Sequence, residues 1–331
     1  MPKRQLFIQA NLFVRVRRYQ CRSGQLETIR VETTASIANF GPGFDTFGMC
    51  IDRPVDIMEV QSESEPGIRI ELAKGSFDVP LDPGRNTASV AAQEMIRLGS
   101  RNPDSVGLKL IIDKKIRPGS GLGSSAASAV AGALGAATVI GVKDNHMILR
   151  AAAKGEGSSS GAPHLDNVSP CLYGGFTAVV DPASLKVLKI DPPDMQIVVC
   201  LPEMVVETSK ARKLIPGQFS VKTTVSHVGW ASGIIHGLME GDIELVASCI
   251  LDDIAVPSRK GLIKGYEEVR KRAIDAGALS FSISGSGPAV FSLAKSGHDE
   301  IGKAIVESFS DVGVKSNYFI AKPGFGARLK R

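Results

Sequence analysis

Apolar residues occur after Thr28 in short runs that glycines and prolines interrupt, and their spacing predicts a mixture of strands and helices. Continuous or alternating apolar and β-branched residues indicate strands, whereas apolar residues three and four apart that end before a glycine indicate helices. Strands are predicted at residues 29–33, 55–60, 68–72, 106–112, 176–180, 196–201, 279–283, 289–293 and 317–321. Helices are predicted at residues 87–98, 124–140, 144–154, 220–238, 242–250, 262–275 and 298–310.

The order of these elements indicates the fold class and the domain organisation. Strands and helices mix without regular βαβ alternation, which favours an α+β fold over a doubly wound sheet. A chain of 331 residues is long enough for two ordinary domains. Because Asp181-Pro182 offers a boundary, we predict a basic N-terminal extension at 1–27, a first domain at 28–182 and a second domain at 183–331.

One apolar stretch, residues 118–142, is long enough to raise the question of a membrane span, since its 25 residues carry no charge. It consists mostly of Ala, Gly and Ser, with few large apolar side chains, and such a composition inserts poorly into lipid. We therefore predict a buried helix here and no membrane partner.

The net charge of +5 does not indicate a nucleic-acid binder, because six of the cations and no acid lie within residues 1–26. The rest of the chain therefore carries −1. The basic segment is open to three interpretations, a transit peptide, a nucleic-acid arm or residues added by an upstream start codon, and we favour the last. Five dispersed cysteines without metal-knuckle or CxxC spacing predict free thiols in a reducing cytoplasm.

The segment PGSGLGSSAAS at residues 118–128 offers the most specific chemistry. Its glycines and serines follow a predicted strand and open a helix, so backbone N–H groups and the positive end of the helix dipole converge at one point. This arrangement suits a polyphosphate, although neither the Walker loop nor the Rossmann fingerprint is present. The alternative is a glycine turn into a tightly packed helix.

Three further segments are rich in glycine and polar residues. NFGPGFDTFG at 39–48 would expose Asn39 and Asp45 to a ligand or would form a stiff turn that caps its own backbone. EGSSSGAPHLDNVSP at 156–170 has the composition of a loop or linker. SISGSGP at 282–288 would line a pocket or close a hairpin. The histidines at 146, 227, 236 and 298 are interpreted as structural or surface residues.

In this order and spacing the four segments resemble the motifs of the GHMP kinases, over residues 28 to about 322. Residues 38–45 match the first motif, 117–126 the second and 282–293 the third, while GPGFD, HLDNVSP, ETSKAR and VPSR resemble the homoserine-phosphorylating branch. The resemblance implies an N-terminal domain with a left-handed βαβ unit, a ferredoxin-like C-terminal domain, and ATP with Mg²⁺ as co-substrate.

The resemblance also implies roles for individual residues. Ser125 and Glu156 would hold Mg²⁺, and Asn86 would lie near the adenine or simply cap a helix. The phosphates would be wrapped by Pro118, Gly119, Ser120, Gly121, Leu122, Gly123, Ser124, Ser125, Ala126 and Ala127. The amino-acid pocket would comprise Asn39, Asp45, His164, Asn167, Thr208, Arg212 and Arg259.

L-homoserine is the substrate that the resemblance implies. A zwitterion needs an acid for its ammonium group and arginines for its carboxylate, which Asp45, Arg212 and Arg259 would supply, unless either arginine is only a solvated surface charge. Asn167 stands where several related kinases have an aspartate, and its amide cannot accept a proton at neutral pH. Ser125, Glu156 and Asn167 are thus the expected catalytic residues.

Two alternatives remain open at this point. The first is another kinase of the same fold that acts on mevalonate, shikimate or a sugar, although a substrate with only a carboxylate would not need Asp45. The second is a nucleotide-binding regulator that has the fold without turnover. No nucleic-acid partner is expected, and the assembly, monomer or homodimer, is left open.

Overall fold

The computed structural model describes residues 28–330, so the predicted basic extension at 1–27 lies outside the described residues. The strands are β1 Thr28–Ala38, β2 Phe47–Glu63, β3 Gly67–Leu72, β4 Gly107–Asp113, β5 Phe176–Asp181, β6 Lys186–Ile190, β7 Ile197–Pro202, β8 Ser282–Ile283, β9 Val290–Leu293, β10 Ser316–Ala321 and β11 Arg328–Lys330. The helices are α1 Thr87–Gly99, α2 Ser124–Val139, α3 Asn145–Ser160, α4 Leu165–Tyr173, α5 Thr208–Lys213, α6 Val221–Glu240, α7 Ile243–Ser248, α8 Ala255–Arg259, α9 Tyr266–Asp275 and α10 His298–Asp311.

A seven-stranded sheet forms the first layer of the molecule. Its main order is β11-β1-β2-β4-β3, and β5 joins it by pairing with both β2 and β6. β3 and β4 are parallel neighbours connected through α1, which makes them a βαβ unit. Two strands from the predicted second domain, β6 and β11, belong to this sheet, and β11 pairs with β1 through Arg30 and Lys330.

A four-stranded antiparallel sheet forms the second layer, in the order β10-β7-β9-β8. β7 is followed by helices, then by β8 and β9, then by α10 and β10, so the chain runs β-α-β-β-α-β. This sequence of elements with the first and third strands adjacent is the ferredoxin-like arrangement. The structure thus confirms the α+β prediction.

Helix α2 packs within the part of the fold that contains the seven-stranded sheet, and its residues are almost all buried. A Cβ at Gly132 would collide with the backbone carbonyl of Ala88, so α1 and α2 approach each other too closely for any larger side chain. This close packing explains the run of small residues that the sequence shows at 124–139. None of the helices within residues 28–330 has both the length and the hydropathy needed to cross a bilayer.

Most of residues 156–170 are helical, although their composition is that of a loop or linker. Helix α3 continues to Ser160 and ends at Gly161, which has φ +83°, and a new helix, α4, starts at Leu165. Pro170 and Asn167 are poor helix formers, so local propensity hides this helix. Burial of its apolar side chains stabilises it instead, namely Leu165, Val168, Cys171 and Leu172.

Candidate active site

The glycine loop before α2 has a backbone conformation that only glycine adopts easily. Gly119, Gly121 and Gly123 have φ of +69°, +82° and +66°. A Cβ at Gly121 would lie 2.7 Å from the carbonyl oxygens of Ser284 and Gly287, and one at Gly123 would collide with Ser36 Oγ. The loop is therefore held tightly between the two layers, and its shape is fixed before any ligand binds.

The first turn of α2 presents free N–H groups to a ligand. Its N-cap is Gly123, and among residues 28–330 no side chain accepts a hydrogen bond in the capping position. Unsatisfied N–H groups and the positive end of a 16-residue helix form an anion site. The donors lie where a phosphate would meet the glycine loop.

A cavity of about 260 Å³ opens beside this loop and brings most of the predicted site residues together. The predicted residues that line it are Asn39, Asp45, Asn86, Pro118, Gly119, Ser120, Gly121, Gly123, Ser124, Ser125, Glu156, His164, Asn167, Thr208 and Arg259. Leu122, Ala126 and Ala127 do not line it, because their side chains are buried in the core, so only their backbone could serve a phosphate. Arg212 adjoins the cavity through its ion pair with Asp45.

The loop after β1 supplies the acidic side of the cavity. Asn39 and Asp45 both have positive φ, 65° and 57°, and Asn39 Oδ1 accepts a hydrogen bond of 3.3 Å from the backbone N–H of Asp45. Arg212 donates from NH1 to Asp45 Oδ1 at 2.7 Å. Thr208 begins the same helix, α5, and its hydroxyl lies 3.4 Å from that of Ser286 in the third motif.

Arg259 is buried and is the last residue of helix α8. Its NH1 donates to the carbonyl of Gly285 at 2.8 Å, and its Nε has no acceptor among residues 28–330. Burial lowers the pKa of this guanidinium, an effect that Asp45 and Asp252 oppose. A buried N–H without a partner is costly, so a ligand acceptor at this position would be favourable.

A cluster of titratable groups from α3 and α4 forms the floor of the cavity. Glu156 is buried in α3, and its Oε1 lies 3.0 Å from Nδ1 of His164. Burial works against the charged form of His164, but the bond to Glu156 and the nearby charge of Asp166 outweigh it and raise the pKa. Burial also raises the pKa of Asp166 to about 7, although the charge of His164 opposes the shift.

Asn167 follows Asp166 in α4, and its side chain lies beside the glycine loop. Its Oδ1 accepts a hydrogen bond of 2.9 Å from Ser36 Oγ, and a Cβ at Gly123 would come within 2.8 Å of the same oxygen. The side-chain carbonyl is therefore fixed, which leaves the amide N–H₂ as its remaining donor. Asn167 can orient a hydroxyl group but cannot accept a proton from it.

Asn86 lines the cavity, yet its side chain is already engaged in capping α1. Its Oδ1 accepts from the N–H groups of Ala88 and Ser89 at 3.0 and 3.3 Å, and its Nδ2 donates to the carbonyl of Pro80 at 2.7 Å. This is the helix cap that the sequence offered as the alternative to an adenine contact. The local geometry accounts for the residue without a ligand.

Lys114 is a residue of the cavity that sequence reasoning missed. It is almost fully buried, pairs with Asp56, and donates to the carbonyl of Ser124 at 2.6 Å and to Ser128 Oγ at 2.8 Å. Its ammonium group therefore stabilises the conformation of the beginning of α2. The sequence gives no local signal for this role, because a lysine after a strand is usually a surface charge and Asp56 is 58 positions away.

Two segments that line the cavity offer oxygen atoms that could hold a divalent cation. Within residues 28–330 no group of three or more His, Cys, Asp or Glu side chains could hold a metal by itself. Ser125 and Glu156 line the cavity together and offer a hydroxyl and a carboxylate. Such hard oxygen donors suit Mg²⁺, which characteristically takes few protein ligands and completes its shell with water and phosphate oxygens.

Family models and curated proteins match most of this chain. Residues 86–175 match the family model of the GHMP kinases N-terminal domain, and residues 234–311 match that of the GHMP kinases C-terminal domain. Proteins described as homoserine kinase from Pyrococcus horikoshii and Natronomonas pharaonis are 43% and 37% identical, each over 91% of this chain and 99% of their own length.

Solved structures show the same similarity. A crystal structure of homoserine kinase from Cytophaga hutchinsonii superposes with a TM-score of 0.85 at 32% identity, covering 94% of this chain and all of the other. A mevalonate kinase from L. major in complex with R-mevalonate has a TM-score of 0.64 at 16% identity, covering 88% of this chain and 95% of its own. At that identity the mevalonate kinase shows only that the fold is shared.

Proposed function

We propose, from the premise that this chain belongs to the homoserine kinases of the GHMP kinase family, that it transfers the γ-phosphoryl group of ATP to the hydroxyl of L-homoserine. The product is O-phospho-L-homoserine, an intermediate of threonine biosynthesis. The observation that carries the proposal is that one cavity combines two different kinds of binding site. A glycine loop at a helix N-terminus lies at one side, and Asp45 with two arginines lies at the other.

The charges of the second binding site match an amino acid rather than a simple carboxylic acid. Asp45 would receive an ammonium group, while Arg212 and the Nε–H of Arg259 would receive a carboxylate. Mevalonate or shikimate would bring a carboxylate and hydroxyl groups but no ammonium group, so Asp45 would have no cationic group of the substrate to bind. The zwitterion replaces one ion pair between Asp45 and Arg212 by two, so it keeps both charges satisfied.

Each residue around the reacting groups then has a distinct task. The N–H groups of the loop and of the first turn of α2 would bind the phosphates and stabilise the negative charge that develops on them. Ser125 and Glu156 would hold Mg²⁺, which when bound neutralises charge on the phosphate oxygens. Asn167 would orient the substrate hydroxyl through its amide N–H₂. His164, fixed by Glu156, would contact the bound amino acid.

The hydroxyl proton needs no strong base in this scheme. Phosphoryl transfer proceeds through a loose transition state, so the attacking hydroxyl keeps its proton until late and gives it to the phosphoryl oxygens. Asn167 is unable to take the proton, and the raised pKa of Asp166 places this carboxyl partly in its protonated form near neutrality. Positioning and electrostatic stabilisation of the phosphate charge therefore supply the catalysis. Since the four described cysteines are free and buried, we place the reaction in a reducing cytoplasm.

A substrate panel tests the proposal directly. ADP release from MgATP should be measured with homoserine, mevalonate, shikimate and galactose at matched concentrations. We expect homoserine to give the highest kcat/KM by at least about a hundredfold, because only it satisfies both charges of the pocket. Equal turnover of a substrate without the amino-acid group would refute the assignment. No turnover of any of them, with tight ATP binding, would favour the regulator instead.

A further inference from the structure

Phe44 belongs to the GPGFD segment, but the resemblance assigns its side chain no role. Its ring centroid lies 5.2 Å from the guanidinium carbon of Arg212 and 5.3 Å from that of Arg259. The two arginines come from α5 and α8, which are separated along the chain by α6 and α7, and Phe44 lies in the loop after β1. One aromatic ring is thus the shared neighbour of both cations.

Two guanidiniums this close repel each other, and their surroundings only partly compensate. Arg212 is paired with Asp45, whereas Arg259 has the carbonyl of Gly285 and an Nε–H that lacks an acceptor in the described part of the chain. The negative face of an aromatic ring attracts cations within about 6 Å and favours a fixed guanidinium plane. Phe44 therefore lets both charges remain near each other before a ligand carboxylate neutralises them.

We propose that Phe44 is a positioning residue that fixes Arg212 and Arg259 as a two-arginine clamp for the substrate carboxylate. This inference rests on the proposed function, since it concerns the carboxylate of an amino-acid substrate. Phe44 acts through the arginines and not on the reacting atoms. An aliphatic side chain would fill similar space but lacks the quadrupole. Arg212, whose side chain is 45% exposed, would then keep its ion pair with Asp45 but lose the ring contact that helps to fix its guanidinium.

The test compares Phe44→Leu and Phe44→Met, which remove the ring, with Phe44→Tyr, which keeps it. For the first two we expect KM for homoserine to rise about tenfold, because a partly desolvated cation–π contact to each arginine is lost. kcat and KM for ATP should stay within about twofold of the unaltered enzyme, and Phe44→Tyr should behave like the unaltered enzyme. Using both Leu and Met keeps the test informative if one variant folds poorly.

The chain provides a matched control. Phe325 lies under Arg328 at 3.6 Å on another part of the surface, where the arginine also pairs with Glu32. Phe325→Leu removes a cation–π contact of the same kind, and we expect it to leave KM for homoserine unchanged. The effect of Phe44 would then be attributable to its place in the pocket.

A substrate without a carboxylate separates positioning from general structural damage. 3-Aminopropan-1-ol retains the ammonium and hydroxyl groups of homoserine but has nothing for the clamp to hold. We expect its kcat/KM to be low and equal in the unaltered enzyme and in Phe44→Leu. A matching loss for both substrates, or an unchanged KM for homoserine in both ring-less variants, would overturn the clamp. Failure of the unaltered protein to phosphorylate homoserine would overturn the proposed function and the clamp together.

Discussion

The half of the cavity that we propose binds phosphate is formed by backbone, whereas the half that we propose binds the amino acid is formed by side chains. The loop at 118–123 and the first turn of α2 form one continuous segment, and glycine conformations set its shape. The other half draws Asp45, His164, Arg212 and Arg259 from four separate segments. A backbone site depends on local conformation, and a side-chain site depends on the fold that gathers its parts.

The two halves should therefore fail in different ways. A substitution in the loop changes the path of the chain, so it should weaken nucleotide binding and the packing of the two layers together. A substitution among the charged side chains leaves the backbone in place, so it should change the affinity for one substrate only. If both halves respond alike, the distinction between them is wrong.

The largest effect is expected for Gly121→Ala. The new Cβ would lie 2.7 Å from two backbone carbonyl oxygens at a φ of +82°, and backbone cannot move aside as a side chain can. We expect KM for ATP to rise about a hundredfold and the melting temperature to fall, since left-handed strain and overpacking each cost roughly 1–3 kcal/mol. Steady-state kinetics and calorimetry would measure both.

Gly119→Ala is the matched control for that loss. Its φ of +69° imposes similar strain, but the new Cβ would meet only Val205 Cγ1 within the described residues, at 3.3 Å. We expect a smaller change, about tenfold or less in KM for ATP. Equal losses in the two variants would mean that φ alone, and not the fit between the layers, determines the loop.

The next effect concerns the charge on the opposite side, tested with Asp45→Asn. The amide keeps the shape but cannot neutralise an ammonium group, so kcat/KM for homoserine should fall about thirtyfold, or about 2 kcal/mol. KM for ATP should remain unchanged and serves as the internal control. A parallel loss for ATP would show that Asp45 supports the loop conformation instead of binding the substrate.

The same distinction explains what the sequence could and could not predict. The glycine loop can be predicted from the local sequence, because the spacing of glycine and serine before a helix directly determines its conformation. The roles of Lys114 and Phe44 are not visible in the sequence, because they depend on partners that are distant along the chain, such as Asp56 for Lys114. Most strands and helices follow from apolar spacing, and the α+β class is confirmed.

Two elements that the sequence did not predict, α4 and β11, both depend on tertiary contacts. Helix α4 contains Pro170 and Asn167, and it exists because its apolar face is buried, a fact that propensity cannot supply. Strand β11 has only three residues and depends on pairing with β1 at the other end of the chain.

The interpretation of His227 as a structural residue is confirmed. Its ring forms a hydrogen bond of 3.0 Å with the carbonyl of Pro42 and accepts one of 3.1 Å from the N–H of Asp253.

A smaller effect on catalysis is expected for Asn86→Ala, which tests whether a side chain matters at the nucleotide end. Because Oδ1 of Asn86 caps α1 and its Nδ2 donates to the carbonyl of Pro80, we expect a loss of about 1 kcal/mol in stability and a change of about twofold or less in KM for ATP. Asn86→Asp keeps the capping oxygen and is the control for stability. A tenfold rise in KM for ATP in both variants would establish a direct contact with the base.

No change in kcat is expected for Asp166→Asn, which is the smallest effect on catalysis among these variants. The stability of the protein should nevertheless depend on pH through this carboxyl. Asp166 is buried, one carboxyl oxygen has no partner within residues 28–330, and burial raises its pKa from 3.8 to about 7. Between these values the folded protein holds a proton that the unfolded chain has released. The contribution of this carboxyl to stability therefore declines as the pH rises from about 4 to about 7, and is smallest above pH 7.

The asparagine side chain of this variant would imitate the protonated carboxyl at every pH, so the variant should gain melting temperature relative to the unaltered protein as the pH rises from about 5 to about 8. Melting curves across that range measure the difference, with Asp181→Asn as an exposed control whose pKa the hydrogen bond from Ser184 lowers. Parallel curves for the unaltered protein and Asp166→Asn would mean that the carboxyl is already ionised in the fold at about pH 5 and is stabilised there by His164. A large fall in kcat would make Asp166 a participant in proton transfer, and the amino-acid half would then contain a base as well as a binding site.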